Sequence, residues 1–203
     1  MFATVPVTAT LNDSGSHPLG GATFEYRYGW DTKQPFTGPM ELLPVNTKIT
    51  VNYAGASIEK EQNTGVEPDF EFATVPVTAQ LLASNGTTDL SSGATFEYRY
   101  GWGTKQPFTG PMELLPVNTK ITVNYAGTSI EKEQNTGVDP DFIFKTGSVL
   151  STTCTQYRYG WESYMTFTDP MELLAVSTKF KDADGPDTSA TPVSGGNISV
   201  TCP

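Results

Sequence analysis

The sequence has little of what enzymes and membrane proteins depend on. Its one histidine, His17, stands in a predicted loop and does not recur elsewhere in the 203-residue chain. A Ser-His-Asp triad, a Cys-His pair or a multi-histidine metal site therefore cannot be assembled, and no glycine-rich phosphate loop is present. No run approaches the roughly 20 apolar residues of a membrane-spanning helix. We expect neither an enzyme nor a cofactor requirement, and no membrane span.

Basic residues are also scarce. Lys and Arg number 12 against 22 Asp and Glu, which gives a net charge of −10 and a pI near 4.4. A chain without a basic patch cannot neutralise phosphates, so nucleic acid is not an expected partner. The acidic charge favours solubility and keeps similar modules apart. The abundant Gly, Pro, Thr, Ser and Asn are typical of short strands joined by turns and of secreted proteins.

The chain has two cysteines, Cys154 and Cys202, both in its last quarter. An even count in a Thr- and Ser-rich acidic chain favours a disulfide and an oxidising compartment. Two unpaired thiols are the alternative. We therefore predict an extracellular or cell-surface location. A signal peptide is not visible, which fits a mature chain or a piece of a longer array with Met1 added.

Two long segments of the chain are nearly the same. Residues 21–70 recur at residues 93–142 with three changes, at positions 31, 56 and 67. A third, degenerate copy keeps YRYGW at Tyr157–Trp161, MELL at Met171–Leu174 and STK at Ser177–Lys179. The repeat divides the chain into three predicted modules, residues 1–72, 73–144 and a truncated 145–203. Copies add length or valency, whereas an active site is rarely copied within one chain.

Period-two alternation predicts an all-β fold. In Ala22–Tyr28 the apolar residues fall on even positions, and Ile49–Tyr53 and Val5–Leu11 alternate in the same way. Clusters of Gly, Pro, Asn and Asp separate these runs, and no amphipathic helix is evident. Each module is predicted to be a small Ig-like antiparallel β-sandwich of about six or seven strands.

The predicted junction between modules 1 and 2 lacks a linker. Apolar residues stand at positions 70 and 72 and then at 75, 77, 79 and 81, so the buried phase reverses near Ala73. One extended segment is expected to end the first module and to begin the second, with Pro76 on the outer phase of an edge strand. Because no flexible Gly/Ser segment intervenes, we predict a stiff rod of modules.

Two motifs resemble those of a known family. His17–Ala22 (HPLGGA) and Glu41–Pro44 (ELLP) are similar to the G-x-P-L-x-G-A and L-x-L-L-P segments of the transthyretin-like (prealbumin-like) Ig-type repeats of bacterial surface proteins. The resemblance covers modules 1 and 2 well and module 3 poorly. It implies a β-sandwich used for stalks, spacers or adhesion. Relatives with isopeptide cross-links carry a lysine in the first strand, which residues 2–11 and 72–82 lack.

Aromatic residues line the strand that ends in YRYGW. Four of them are candidates for stacking on a ligand such as a glycan, because they lie near a turn in both long repeats: Tyr28, Trp30, Tyr100 and Trp102. The alternative is that the aromatic stripe belongs to a core strand. That interpretation is preferred for Phe24 and Tyr26.

Carboxylates offer a weaker candidate site. Asp182, Asp184 and Asp187 lie around a glycine, a pattern that suits calcium, although the glutamate that closes a full calcium loop is absent. A solvated turn is the alternative. The glutamate pairs that recur in both long repeats are interpreted as a solvated outer strand face: Glu59 with Glu61 and Glu131 with Glu133.

The third module is shorter than the others. From Phe72 to Trp102 is 30 positions, but from Phe144 to Trp161 is 17, so most of the first strand and the following loop are predicted to be missing. A sandwich without a strand has an open edge and an apolar groove. The C-terminal residues 196–203, pinned by a Cys154–Cys202 bond, are one predicted filler of that groove.

Two other outcomes are open for the third module. A strand from another molecule can enter the groove, and the N-terminal residues 2–11 are the candidate donor through the apolar positions Val5, Val7, Ala9 and Leu11. Alternatively, module 3 is a degenerate capping module, since terminal repeats face solvent.

These features predict a structural subunit or segment of an extracellular fibre or surface stalk. Self-association is expected, head-to-tail by strand exchange, which generates a filament. The alternative is a cell-surface adhesin that binds a glycan or a host or matrix protein through the repeated aromatic turns.

Overall fold

Three β-sandwiches follow one another along the chain in the computed structural model, which describes residues 3–203. Met1 and Phe2, which belong to the predicted first module and to the predicted donor segment, lie outside the described residues. Each sandwich has seven strands in two sheets, one of three strands and one of four. Within residues 3–203 there is no α-helix, and the one helical element is a 3-10 turn at Ser91–Gly93. The predicted all-β fold of tandem sandwiches is confirmed.

Modules 1 and 2 have the same strand order. The strands of module 1 are β1 (Val5–Asn12), β2 (Thr23–Tyr28), β3 (Gln34–Phe36), β4 (Met40–Leu42), β5 (Asn46–Tyr53), β6 (Ala56–Asn63) and β7 (Asp69–Ala73). Those of module 2 are β8 (Val75–Leu82), β9 (Thr95–Arg99), β10 (Gln106–Phe108), β11 (Met112–Leu114), β12 (Asn118–Tyr125), β13 (Thr128–Asn135) and β14 (Asp141–Lys145). In module 1 the sheets run β4-β1-β7 and β3-β2-β5-β6, and module 2 repeats them as β11-β8-β14 and β10-β9-β12-β13.

Each module buries its own apolar core between its two sheets. In module 1, Val7 and Leu11 of β1, Ile49 and Val51 of β5 and Phe70 of β7 are all buried and belong to one cluster. Fully burying one such side chain contributes about 1.5–3 kcal/mol. The alternation that predicted the strands therefore also identified the core positions.

The first strand of a module has two partners along its length. Val5–Val7 of β1 pairs antiparallel with β4, and Thr8–Asn12 pairs parallel with β7. The structure thus adds one parallel pair per module to the antiparallel arrangement that was expected. Pro76 of β8 pairs on the β11 side alone, before pairing with β14 starts at Thr78. Its missing N–H therefore falls where the strand is locally an edge, as predicted.

Module 3 has all seven strands, which corrects the prediction of a missing strand and an open groove. They are β15 (Gly147–Leu150), β16 (Gln156–Tyr159), β17 (Met165–Thr166), β18 (Met171–Leu173), β19 (Thr178–Lys181), β20 (Thr188–Ala190) and β21 (Asn197–Ser199). The first strand, β15, is shortened to four residues but present. It pairs antiparallel with β18 and parallel with β21, as β1 does with β4 and β7. The C-terminal segment is therefore the last strand of module 3 and not a filler for a missing first strand. Cys154 and Cys202 form the predicted disulfide.

No helix within residues 3–203 has the length and apolar character needed to cross a membrane.

Candidate functional site

The junction between modules 1 and 2 is a single residue, Thr74, between β7 and β8. Its backbone N–H donates to the carbonyl oxygen of Asn12 at 2.9 Å, and its hydroxyl donates to Glu113 at 2.5 Å. The Ser14 hydroxyl of module 1 donates to the other oxygen of the same carboxylate at 2.6 Å. One glutamate of module 2 therefore receives hydroxyls from the linking residue and from a loop of module 1.

The junction between modules 2 and 3 repeats this arrangement. Ser84 donates through its hydroxyl and its backbone N–H to Glu172, at 2.7 and 3.0 Å. The linking residue Thr146 donates its hydroxyl to the same carboxylate, and its N–H bonds the carbonyl of Leu82 at 3.0 Å. Hydrogen bonds to a charged group are worth about 1.5–3 kcal/mol. We call each of these glutamates, together with its hydrogen-bond donors from two modules, the carboxylate staple of its junction.

Apolar contacts accompany each carboxylate staple. Leu115 of module 2 is 0% exposed and belongs to the core cluster of module 1, and Leu174 of module 3 belongs in the same way to the cluster of module 2. In the opposite direction, the β5–β6 turn places Ala54 against the core of module 2. Its equivalent, Ala126, packs against the core of module 3. The cores therefore interlock across both junctions.

Tyrosines of the YRYGW motif complete the junctions. The Tyr98 and Tyr157 hydroxyls lie 3.5 Å from the carbonyl oxygens of Ala54 and Ala126. The hydroxyls of Tyr100 and Tyr159 are buried and have no hydrogen-bond partner within residues 3–203. Burial is the main reason why the pKa of each of these two phenols is raised. Both phenols therefore stay neutral and contribute mainly packing.

The tryptophan of the same motif lies in solvent in all three modules. Trp30, Trp102 and Trp161 are 86%, 87% and 89% exposed. The Nζ of Lys48 lies 4.3 Å from the ring centroid of Trp30, and the guanidinium carbon of Arg27 lies 5.5 Å away. Such cation–π contacts contribute about 0.5–1 kcal/mol at exposed sites. Large exposed rings of this kind are not needed for the core.

A carboxylate fixes the arginine beneath each tryptophan. Arg27 donates to both oxygens of Glu59, at 2.8 and 3.1 Å, and this hydrogen bonding is the main reason why the pKa of Glu59 is lowered. Module 2 repeats the pair with Arg99 and Glu131. Glu59 and Glu131 are thus ion-pair partners, which refines their interpretation as a solvated face.

Module 3 builds the same arrangement from a different residue. There Asp187 accepts from Arg158 at 2.8 Å and from the Tyr164 hydroxyl. The hydrogen bond from Tyr164, followed by that from Arg158, lowers the pKa of Asp187. An aspartate of the β19–β20 connection therefore replaces the glutamate found in the longer modules.

The predicted ligand-stacking residues fall into two groups. Tyr100 lies in the junction between modules 1 and 2, next to Gly55 of the β5–β6 turn. A Cβ atom on Gly55 would lie 3.8 Å from the Tyr100 ring. Tyr28 is half-buried, and its hydroxyl accepts from the backbone N–H of Leu43 at 3.2 Å. The side chains of Trp30 and Trp102 are exposed to solvent. The structure therefore does not bring each tyrosine and tryptophan into one platform.

The three aspartates predicted as a calcium site do not converge. Asp187 pairs with Arg158, Asp182 accepts from the Thr155 hydroxyl at 3.2 Å, and Asp184 is exposed. Within the described part of the chain no group of three acidic, histidine or cysteine side chains is arranged to hold a metal ion. Asp182 and Asp184 lie on an exposed turn, and Asp187 is held by its ion pair with Arg158.

The predicted strand-exchange residues lie inside their own module. Val7 and Leu11 are buried in the core of module 1, with Val5 and Ala9 packed against it. Their strand, β1, is paired with β4 and β7. Donation of this segment to another molecule would require module 1 to lose its central strand.

Sequence reasoning missed the carboxylate staple. A signal for it is present, because MELL is kept in the degenerate third copy, and its glutamate stands on the outward strand phase where a core role does not explain it. The partner hydroxyls lie 26 to 99 residues away, so no local pattern connects them.

No protein-family model matches the sequence, and no curated protein matches it. Among solved structures, the TIE protein of Bacillus anthracis aligns at a TM-score of 0.30 with 12% identity, over 98% of this chain and 50% of its own. The pilus adhesin SpaC from Lactobacillus rhamnosus GG aligns at 0.28 with 9% identity, over 98% and 43%. The chain thus spans about half the length of these structures. Neither alignment assigns it a function or the transthyretin-like family.

Proposed function

We propose that this chain is a structural spacer of an extracellular fibre or surface stalk, built to hold its modules in a stiff row. The observation that carries the proposal is the junction, which occurs twice with the same carboxylate staple and the same interlocked leucine. A flexible tether between independent domains needs neither. A structural role also explains why a whole module is copied, since copies add length.

The position of the junctions supports end-to-end stacking. Thr4 precedes β1, and Asn12 is its last residue. Eight strand residues span about 26 Å. Glu41, the equivalent of Glu113, bonds to Thr4 at one end of β1, while Asn12 accepts from Thr74 at the other end. Each module is therefore contacted at opposite ends of its first strand, and each added module extends the row.

An extracellular location is part of the proposal. The Cys154–Cys202 disulfide is typical of oxidising compartments, and the small cores of such modules benefit from a covalent staple. The proposal assigns no enzymatic activity to the chain. It also leaves out strand exchange, because β1 is already paired along its length and β15 occupies the first-strand place that a donated strand would take in module 3.

Small-angle X-ray scattering of the purified chain tests stiffness. We expect one elongated particle whose scattering a single conformation fits. The matched control is a variant with Gly-Ser-Gly-Ser inserted after Thr74, which should require an ensemble of bent shapes. A native chain that needs the same broad ensemble as this variant would refute the proposal.

A second candidate function, adhesion, is favoured by the tryptophans. Module 3 has lost much of the repeat sequence, yet it keeps Trp161 at 89% exposure over Arg158 and Lys179. Aromatic rings with a free face suit stacking on sugars or on apolar groups of a protein. A row of identical rings gains avidity from weak contacts.

Binding to a glycan array and to immobilised matrix proteins tests adhesion. We expect retention by the native chain and loss when all three tryptophans become alanine, with partial retention in the tryptophan-to-phenylalanine control, because an aromatic face remains. Equal retention by the alanine variant would remove this candidate.

A further inference from the structure

We infer that the N-terminal end of module 1 is a docking surface for the C-terminal end of another module of the module 1 and 2 type. We call the surface the leading face; in module 1 it consists of Thr4, Glu41, Leu43 and Val45. The opposite end, the trailing face, consists of the loop with Ser14 or Ser84 and the turn with Ala54 or Ala126. Modules 2 and 3 have a trailing face seated on their leading face, and module 1 presents the same chemistry uncovered.

The apolar part of this leading face is exposed where its equivalents are buried. Leu43 is 37% exposed, whereas Leu115 and Leu174 are 0% exposed. Val45 is 42% exposed, and its equivalents Val117 and Val176 are half-buried. Since modules 1 and 2 are nearly identical in sequence, the difference in exposure between Leu43 and Leu115 measures the surface that a neighbouring module covers.

The glutamate of the leading face has one hydroxyl donor where its equivalents have two. Glu41 is exposed and accepts one hydroxyl, that of Thr4 at 2.8 Å, among the described residues. Glu113 and Glu172 are half-buried and accept a second hydroxyl from the preceding module. Thr4 is exposed, while Thr74 and Thr146 are at most 3% exposed. A serine hydroxyl from another module would complete the Glu41 staple.

The sequence leading into module 1 points to the same occupant. Residues 2–9 are FATVPVTA, identical to residues 72–79. In that second stretch, Phe72 and Ala73 belong to β7 of one module and Val75 begins β8 of the next. The residues that lead into module 1 thus have the sequence of a crossing between two modules.

A second copy of this chain does not supply the occupant, because module 3 has no trailing face. Its strands β19 and β20 have four and three residues, where β5 and β6 have eight each, so this hairpin is shorter than the one whose turn carries Ala54. The loop that carries Ser14 or Ser84 is shortened there to residues 151–155, between β15 and β16. The Cys154–Cys202 disulfide lies in this module instead. Modules therefore add at the module 1 end, and the array is polar.

A four-module chain tests the inference. Residues 1–72 joined to residues 3–203 recreate the Phe-Ala-Thr-Val crossing without a foreign linker and place a trailing face on the leading face of the original module 1. The probe is Leu43→Ala in that original module. Its effect on the unfolding equilibrium constant is measured by hydrogen exchange in the three-module and the four-module chains.

We expect Leu43→Ala to raise the unfolding constant of its module about tenfold more in the four-module chain than in the three-module chain, since the added module buries the side chain. Glu41→Gln, which keeps the shape and removes the charge, should behave in the same way. Equal effects in both chains, or an added module that does not fold or dock, would overturn the inference. The inference would also be overturned if the native three-module chain formed a dimer and the Leu43→Asp substitution abolished it, because a second copy would then occupy the leading face.

The inference rests on the junction chemistry of the proposed function, but the two fail separately. Scattering of the native three-module chain tests stiffness of the existing junctions. The Leu43 comparison tests whether the free leading face accepts a module. If the native chain is stiff but Leu43→Ala has the same effect in both chains, the inference fails and the spacer function stands. If Leu43→Ala has the larger effect in the four-module chain but the native chain bends, the spacer function fails and the inference stands.

Discussion

Replacing Leu115 by alanine should weaken module 1 as well as module 2, although Leu115 belongs to the sequence of module 2. Its side chain is 0% exposed and lies in the core cluster of module 1. Leu43 is the matched control in the other near-identical module and is 37% exposed. The two substitutions remove the same atoms from the same local sequence, so their difference isolates the junction.

The magnitude follows from burial. A leucine-to-alanine change at a fully buried site costs about 2–5 kcal/mol, because the lost transfer energy is joined by the cost of a cavity. At Leu43 part of the side chain is already in water and the space left behind opens to solvent, so transfer alone costs about 1 kcal/mol. We therefore expect Leu115→Ala to cost about 1–4 kcal/mol more than Leu43→Ala.

Urea unfolding followed by circular dichroism measures the cost, and hydrogen exchange locates it. Leu115→Ala should accelerate exchange in β1 and β5 of module 1 together with β8 and β12 of module 2. Leu43→Ala should affect module 1 alone. Equal costs for the two variants, or an effect of Leu115→Ala confined to module 2, would refute the interlocked junction.

Three further predictions concern the packing and charge of the modules. Tyr100→Phe should raise stability by about 1 kcal/mol in thermal unfolding, because it removes a buried hydroxyl without a hydrogen-bond partner. Tyr28→Phe is the control and should not raise stability, since it loses a hydrogen bond. Equal effects of the two substitutions would contradict the burial argument. The hydrogen bond from Arg27 lowers the pKa of Glu59, so the stability from this pair is present above the carboxyl's unfolded pKa and is lost as the pH falls through the lowered pKa of the folded chain. The melting temperature of Glu59→Gln should therefore depend less steeply on acid pH than that of the native chain, and identical profiles would contradict the pairing. Cys202→Ser opens a loop of 48 residues and should cost module 3 about 4 kcal/mol in urea unfolding, whereas an unchanged midpoint would show that β21 holds without the disulfide.

Much of the fold could be predicted from local patterns. Alternation identified the strands because a two-layer sandwich buries one face of each strand. The reversal of that alternation near Ala73 located the crossing between modules, where Thr74 alone separates β7 from β8. The disulfide could be predicted because two cysteines allow one intramolecular pairing.

Other features could not be predicted because they depend on distant pairings. The first strand of module 3, β15, keeps four residues and the connection after it is short, so from the sequence the first strand of the third sandwich looked missing. The parallel pairing of β1 with β7 joins residues 61 positions apart, as between Thr8 and Asp69. In module 3 a shorter hairpin brings Asp187 to the place of Glu59, where it pairs with Arg158. Asp187 therefore does not lie together with Asp182 and Asp184, as the calcium prediction required.

The candidate site was predicted in part. The sequence identified the repeated tryptophans, and the structure leaves them free. The tyrosines beside them have similar chemistry, but Tyr100 faces the turn of the preceding module. A strand pattern shows which residues are apolar. It does not show whether the covering surface comes from the same module or from its neighbour.

A distance measurement between equivalent positions of modules 1 and 2 tests the central claim most directly. Val66 and Val138 are 77% and 84% exposed, so spin labels attached there through a keto amino acid leave both cysteines and both cores untouched. The stapled junction predicts one narrow distance distribution, which broadens when Glu113→Gln and Leu115→Ala are combined. A distribution that is already broad in the native chain, and that the two substitutions leave unchanged, would contradict a rigid row of modules.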